Sequence, residues 1–278
     1  MKKNFIILLN LLLLADQALA ATSNTSVQDL DNKTPGVSKK VSVALSSTMS
    51  TNTRSNVENQ ASNSQALSLS YKLPHGIKSS LYISGNQDLR NDREYTLSDT
   101  SLKFSKSFGS LSRDMSVSGA ATAYAPTSEL SYKTRGMTTA LKLSGTLIYD
   151  GSRELLKNLT LVYIPTVRVN LFKYKVATNG ASNTLFQATN TLVVSYSINK
   201  KLGLSLANTY IRNWTHEGTT NDIFSFDQSL TYSVLKNVSA TVGHSVAGSA
   251  LAANGKDSGL AIYDEDLSSY YLSLGYTY

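Results

Sequence analysis

Three histidines, His75, His216 and His244, are the residues best suited to proton transfer in this chain. Gly243-His244-Ser245-Val246-Ala247-Gly248 comes within one residue of the G-x-S-x-G pattern, in which a base activates a serine hydroxyl. Its fifth position is Ala247, however, and the motif needs a strand-to-helix elbow. In an extended chain His244 and Ser245 point to opposite faces, so base and nucleophile part company. Trp214-Thr215-His216-Glu217, with Asp222 beyond it, gathers a base and two carboxylates fit for acid–base work. His-Glu-x4-Asp is not a metal-ligand spacing, and a charged loop explains it as well. His75 lies in Pro74-His75-Gly76, a turn tripeptide. The reading assigns no catalytic residue, no metal site and no cofactor, and the chain is not expected to be an enzyme.

The other available chemistry is charge. Lys and Arg number 26 against 19 Asp and Glu, a formal net charge of +7. The cations are scattered and form no nucleic-acid recognition motif, so a nucleic-acid partner is not expected. Arg54, Arg90, Arg93, Arg153 and Arg212 fall in or near polar segments, where they suit solvent or the phosphates of lipid and lipopolysaccharide. A second set, Lys72, Lys103, Lys133, Arg135, Lys142 and Arg168, with Asp114, Glu129 and Asp227, falls within or beside alternating segments. Their function depends on the face they occupy.

Those segments have a period of two. In Ser-Ser-Tyr-Tyr-Leu-Ser-Leu-Gly-Tyr-Thr-Tyr, the final stretch, Tyr270, Leu272, Leu274, Tyr276 and Tyr278 share one face of a strand. The pattern recurs as Leu67-Leu69-Tyr71, Leu102-Phe104-Phe108, Leu130-Tyr132, Leu159-Leu161-Tyr163, Leu192-Val194-Tyr196 and Leu230-Tyr232-Val234. Each copy but the last precedes a turn, such as Pro74-His75-Gly76, Arg135-Gly136, Pro165 or Lys236-Asn237. Partner strands start after those turns, from Ile77, Leu111, Thr139, Val167, Leu202 and Val238, and Val41 opens the series. Seven pairs give about fourteen strands, with twelve as the competitor because the phase slips near Gly136, Phe172 and Tyr95–Leu102. Short turns at one end and long polar connections at the other predict an all-β, antiparallel up-and-down transmembrane barrel over residues 37–278.

Ahead of it, Lys2-Lys3, the apolar run Phe5–Leu14 and Ala18-Leu19-Ala20 read as a signal peptide over 1–20, followed by a polar leader over 21–36. There is no cysteine and hence no disulfide framework. A tyrosine band suits the headgroup level at the short-turn end, and Tyr149, Tyr210, Trp214, Phe224 and Tyr270 suggest a second band near the long loops.

Tyr-Leu-Ser-Leu-Gly-Tyr-Thr-Tyr resembles the C-terminal signature of Gram-negative outer-membrane barrels. In that class the last strand is the signal read by the barrel-assembly machinery, which gives Tyr276 and Tyr278 an assembly role by resemblance. Mature length and strand number are similar to those of the monomeric fourteen-stranded porins. The resemblance implies an outer-membrane location. The alternation itself puts small residues such as Ser42, Ser70, Ser80, Ser195, Ser205, Thr231 and Thr241 inside, which leaves a wet lumen. Lys72, Lys103, Lys133, Arg135, Lys142 and Arg168 outnumber Asp114, Glu129 and Asp227 as expected lumen charges, so a diffusion channel for small hydrophilic solutes should prefer anions weakly. The apolar stretch Leu260–Tyr263 is expected to tuck into the mouth. The alternatives are an outer-membrane hydrolase using rim residues and an adhesive barrel with a closed lumen.

Overall fold

The computed structural model describes residues 40–52, 61–90, 93–151, 158–251 and 258–278; the expected signal peptide and leader lie outside them. The strands are β1 (Val41–Asn52), β2 (Ala61–Lys72), β3 (Ile77–Asp88), β4 (Tyr95–Leu97), β5 (Thr100–Ser110), β6 (Met115–Ala125) and β7 (Met137–Asp150). They continue as β8 (Leu159–Phe172), β9 (Thr184–Ser197), β10 (Leu202–Thr215), β11 (Thr220–Leu235), β12 (Val238–Ser249) and β13 (Ser268–Thr277). All thirteen belong to one sheet in which sequential neighbours pair. The short β4 only flanks β3, and the other twelve close on themselves where β1 pairs β13.

The polarity of this barrel is inverted. Leu45, Met49, Leu141, Leu143, Val242, Leu272 and Leu274 all stand on the outer wall, and each is about half exposed. Water would expel such a surface, whereas a bilayer accommodates it. Tyr71, Phe108, Tyr196, Tyr232, Tyr276 and Tyr278 ring the outer wall at the short-turn end. Phe186 and Trp214, with ring centroids 5.2 Å apart, stand with Tyr270 towards the other end. Such rings put their bodies in lipid and their polar edges in the headgroups. Inside, small hydroxyls pair across strands: Ser70 with Ser80 at 2.8 Å, Thr231 with Thr241 at 2.9 Å, and Ser195 with Ser205 at 3.2 Å. The chain is an outer-membrane β-barrel, with the polarity its alternation predicts.

The strand number is twelve, for two local reasons. Leu130–Thr134, expected as a strand, is one turn of π-helix in a long-end loop. There Glu129 and Lys133 form an i,i+4 ion pair at 2.7 Å, and Gly136 ends the turn at φ +64°. Leu159–Tyr163 and Val167–Phe172, expected as two strands hinged at Pro165, are a single strand, β8. The β7–β8 register passes Pro165 unshifted: Ser144 faces Thr166 and Leu147 faces Tyr163. Pro165 lacks an N–H and drops out of the ladder between those pairs, a loss confined to one side of the strand.

This reverses the direction expected for β7 and puts Tyr149 at the short-turn end. Connection lengths also have exceptions. The β7–β8 connection is long for its end, and β10 and β11 meet in the tight hairpin closed by Thr215 N–H to Thr219 carbonyl at 3.0 Å. The expected irregularity near Gly136 is present as a register shift between Met137 and Thr139.

Candidate functional site in the lumen wall

Strand parity decides which side chains enter the barrel. On β7, Leu141, Leu143, Leu147 and Tyr149 face out, so Ala140, Lys142, Ser144, Thr146 and Ile148 face in. Following the ladders sideways from Lys142 gives one continuous inward row. Ser80 faces Lys103, which faces Thr122; Thr122 faces Lys142, and Lys142 faces Arg168. Arg168 then faces Gln187, and Gln187 faces Asn213. The row is polar throughout and all its charges are positive. Lys103 faces inward and its side chain is not packed over by its neighbours.

The row is braced by its neighbours. Arg168 Nε donates to Asn170 Oδ1 at 2.6 Å, and Asn170 Nδ2 donates to the Thr184 carbonyl at 2.9 Å. The Tyr124 ring lies 4.4 Å from Arg168 Cζ and 5.5 Å from Lys142 Nζ. An aromatic face within reach of both cations offsets their repulsion through its quadrupole. Gln187 Nε2 donates to Asn213 Oδ1 at 3.0 Å. The opposite wall holds one strand carboxylate, Asp227, whose oxygens accept the Tyr271 hydroxyl at 3.1 and 2.9 Å. Tyr271 lies flat across Gly243, where a Cβ would come within 2.2 Å of its ring. Only glycine admits that ring.

Three long-end loops brace the mouth above the basic row. Asp99 Oδ1 accepts the Ser128 N–H at 3.1 Å and its hydroxyl at 2.8 Å, and Oδ2 accepts the Ser131 hydroxyl at 2.6 Å. The far side of the π turn is tied to loop 173–183 by Thr178 N–H to the Thr134 carbonyl (2.9 Å) and Asn183 Nδ2 to the Arg135 carbonyl (3.0 Å). Arg135 caps that turn, just before Gly136. Burial, then the charge of Arg168, pushes it below the ordinary guanidinium value, and Asp99 opposes them. Beneath it, Tyr124, Met137 and Ala140 are buried on the inner wall with Phe172 packed against them.

Of the expected lumen charges, Lys103, Lys142, Arg168 and Asp227 hold inward strand positions. Lys72 does so at the short-turn end, facing Lys78. Arg135 reaches the mouth from a loop. Asp114 lies in the turn before β6, where its carbonyl accepts the Asp150 N–H at 2.8 Å. Lys133 and Glu129 are corrected: their strand does not exist, and they are exposed and paired on the π turn. Lys78 was missed, although its position after the outward Ile77 marks it as inward. The inner face also carries more bulk than expected, with Tyr82, Tyr124, Phe172 and Tyr271 inward and a patch of Val162, Val193 and Ala207.

The acid–base candidates are dispersed. The outward His244 ring lies between Tyr263 (5.9 Å) and Tyr270 (5.0 Å), while Ser245 bonds Ser269 inside at 2.8 Å. His216 abuts Phe172, and Asp222 is held on the outer wall by Arg212 at 2.7 Å. The Leu260–Tyr263 stretch, expected in the mouth, lies against the outer wall. Ala261 and Leu267 cover Phe224 and Val246 there, and Tyr263 covers His244.

A closed twelve-stranded barrel with an apolar outer wall and a polar inward row defines the class: an outer-membrane β-barrel. Solved structures agree on the fold. An outer-membrane channel of Pseudomonas putida F1 is 10% identical, with a TM-score of 0.58 over 89% of this chain and 98% of that one. The NanC porin is 11% identical, with a TM-score of 0.53 over 84% of this chain and 98% of that one. No protein-family model and no curated protein matches the chain.

Proposed function

We propose that the protein is a passive channel for small hydrophilic solutes with a weak preference for anions. The carrying observation is the inward row Lys103–Thr122–Lys142–Arg168–Gln187–Asn213, polar along its length and cationic in three places. Twelve strands enclose a wider space than the eight that side chains can fill, and we take what the inward hydroxyls and aromatic rings leave open to be water. Cations along one wall raise the local concentration of anions; of the inward strand carboxylates, Asp88 and Asp150 stand at strand ends and Asp227 bonds Tyr271, so none interrupts that row. The preference is small because a wet pore screens charge over a Debye length of about 8–10 Å at ordinary salt. Lys103, Lys142 and Arg168 are the selectivity residues of this reading, with Lys72, Arg135, Asp114 and Asp227 as secondary lumen charges. Purified, refolded protein in a planar bilayer should give discrete currents whose reversal potential in a KCl gradient favours chloride. Correctly folded, inserted protein that passes no current would overturn the reading.

A further inference from the structure

One register row of the outer wall sinks below its neighbours. Ile77 faces Lys106, Lys106 faces Gly119, and Gly119 faces Gly145. Pro165 Cγ lies 3.6 Å from the Cβ position of Gly145, and Pro165 faces Asn190. The middle of this row has almost no side chain, whereas Phe104, Leu143 and Val167 stand above it and Phe108 leans over Gly119 from below. The result is an oblique apolar groove of about 680 Å³ on the membrane-facing surface. Four interstrand spacings of about 4.8 Å carry it from β5 to β9, a length of about 19 Å. Strand tilt makes it climb from the short-turn end towards the membrane interior.

Lys106 stands at the low end. Its partner Ile77 is the first residue after the turn Pro74–Gly76, which brings the ammonium close to the headgroup level. The side chain is exposed and makes no ion pair or hydrogen bond among the described residues. At the high end Asn190 Oδ1 already accepts the Tyr163 hydroxyl at 2.7 Å. A cation on a lipid-facing wall needs an anion, and here it heads an apolar groove.

We propose that this groove holds one acyl chain of a glycerophospholipid from the periplasmic leaflet, with its phosphate on Lys106. The polarity is that of a lipid in that leaflet: headgroup at the short-turn end and tail rising inward. A second copy of the chain fits less well. The acidic residues of the described strands are Asp88, Asp150, Asp222 and Asp227. Asp88, Asp150 and Asp227 face the lumen, and Asp222 is held by Arg212 near the opposite rim, so a neighbouring copy brings Lys106 no free strand carboxylate.

Native mass spectrometry of protein extracted from membranes in mild detergent tests this directly. Wild type should retain one phospholipid equivalent through a wash that strips bulk lipid. Lys106→Glu and Gly145→Leu should each lower the retained fraction at least fivefold, and Lys106→Arg should keep it. Heat-modifiable gel migration shows whether Gly145→Leu folds, and Ala121→Leu fills the same groove if it does not. Equal retention in wild type and variants would overturn the proposal. So would a dimer that disappears with Gly145→Leu, since a second copy would then be the occupant.

Discussion

At the residue scale, Lys142 and Arg168 are register partners on adjacent strands, an arrangement of like charges that is unfavourable on its own. The Tyr124 face and the Asn170 side-chain amide oxygen offset that repulsion. Replacing both with glutamate reverses the sign of that wall without changing the outward face. Lys142→Glu with Arg168→Glu is expected to turn chloride preference into potassium preference in dilute KCl. The difference should vanish near 1 M salt, where the Debye length is about 3 Å. An unchanged reversal potential would place the selectivity elsewhere. Lys142 was legible in the sequence because Leu141 and Leu143 fix its phase. Tyr124 was not, because alanines at 121, 123 and 125 leave the outward face unmarked.

At the element scale, the loops decide the mouth. Asp99 is the anchor of the π turn, and Asp99→Ala removes three hydrogen bonds to a carboxylate, each worth about 1.5–3 kcal/mol. Limited proteolysis should then cut within 126–136 much faster while the barrel keeps its gel migration. Cleavage at the wild-type rate would show that the loop is held by other contacts. The last long loop makes the contrary case. Ala261, Tyr263 and Leu267 pack on the outer wall, so changing all three to serine should leave conductance unchanged. Uncovering the almost fully buried Phe224 and Val246 should still lower thermal stability, by on the order of 2–4 kcal/mol. A rise in conductance would return that loop to the pore. Neither loop role was legible: alternation reports which face of a strand is apolar, but Leu130-Tyr132 has the same spacing in a helical turn fixed by a distant aspartate.

At the scale of the whole molecule, twelve strands were readable as a class and not as a number. The outward sets are dictated by lipid over every strand, so the inversion of polarity shows in the sequence. The count depends on two events, Pro165 inside a strand and a π turn at 130–134, where local signals mislead. Closure depends on β1 and β13. Val43 N–H donates to the Tyr278 carbonyl at 3.1 Å, and Tyr278 N–H returns a bond to the Val43 carbonyl at 2.8 Å. Tyr278 is exposed on the outer wall at the short-turn end. Tyr278→Ser should sharply reduce the heat-modifiable band in the outer-membrane fraction, because it removes the interfacial ring from the closing strand. Normal amounts of folded protein in that variant would deny the last strand an assembly role.

The seam sets the timing of folding. Its side-chain bond from Thr48 to Ser273 spans 225 residues. Such a distant partner is the slowest kind to find, and the chain is made from the other end. From the moment β1 is synthesised until β13 arrives, one of its edges has no mate, and a bare edge is a template for the wrong neighbour. The first strand therefore has both its partners only once the last has been made and brought home to it.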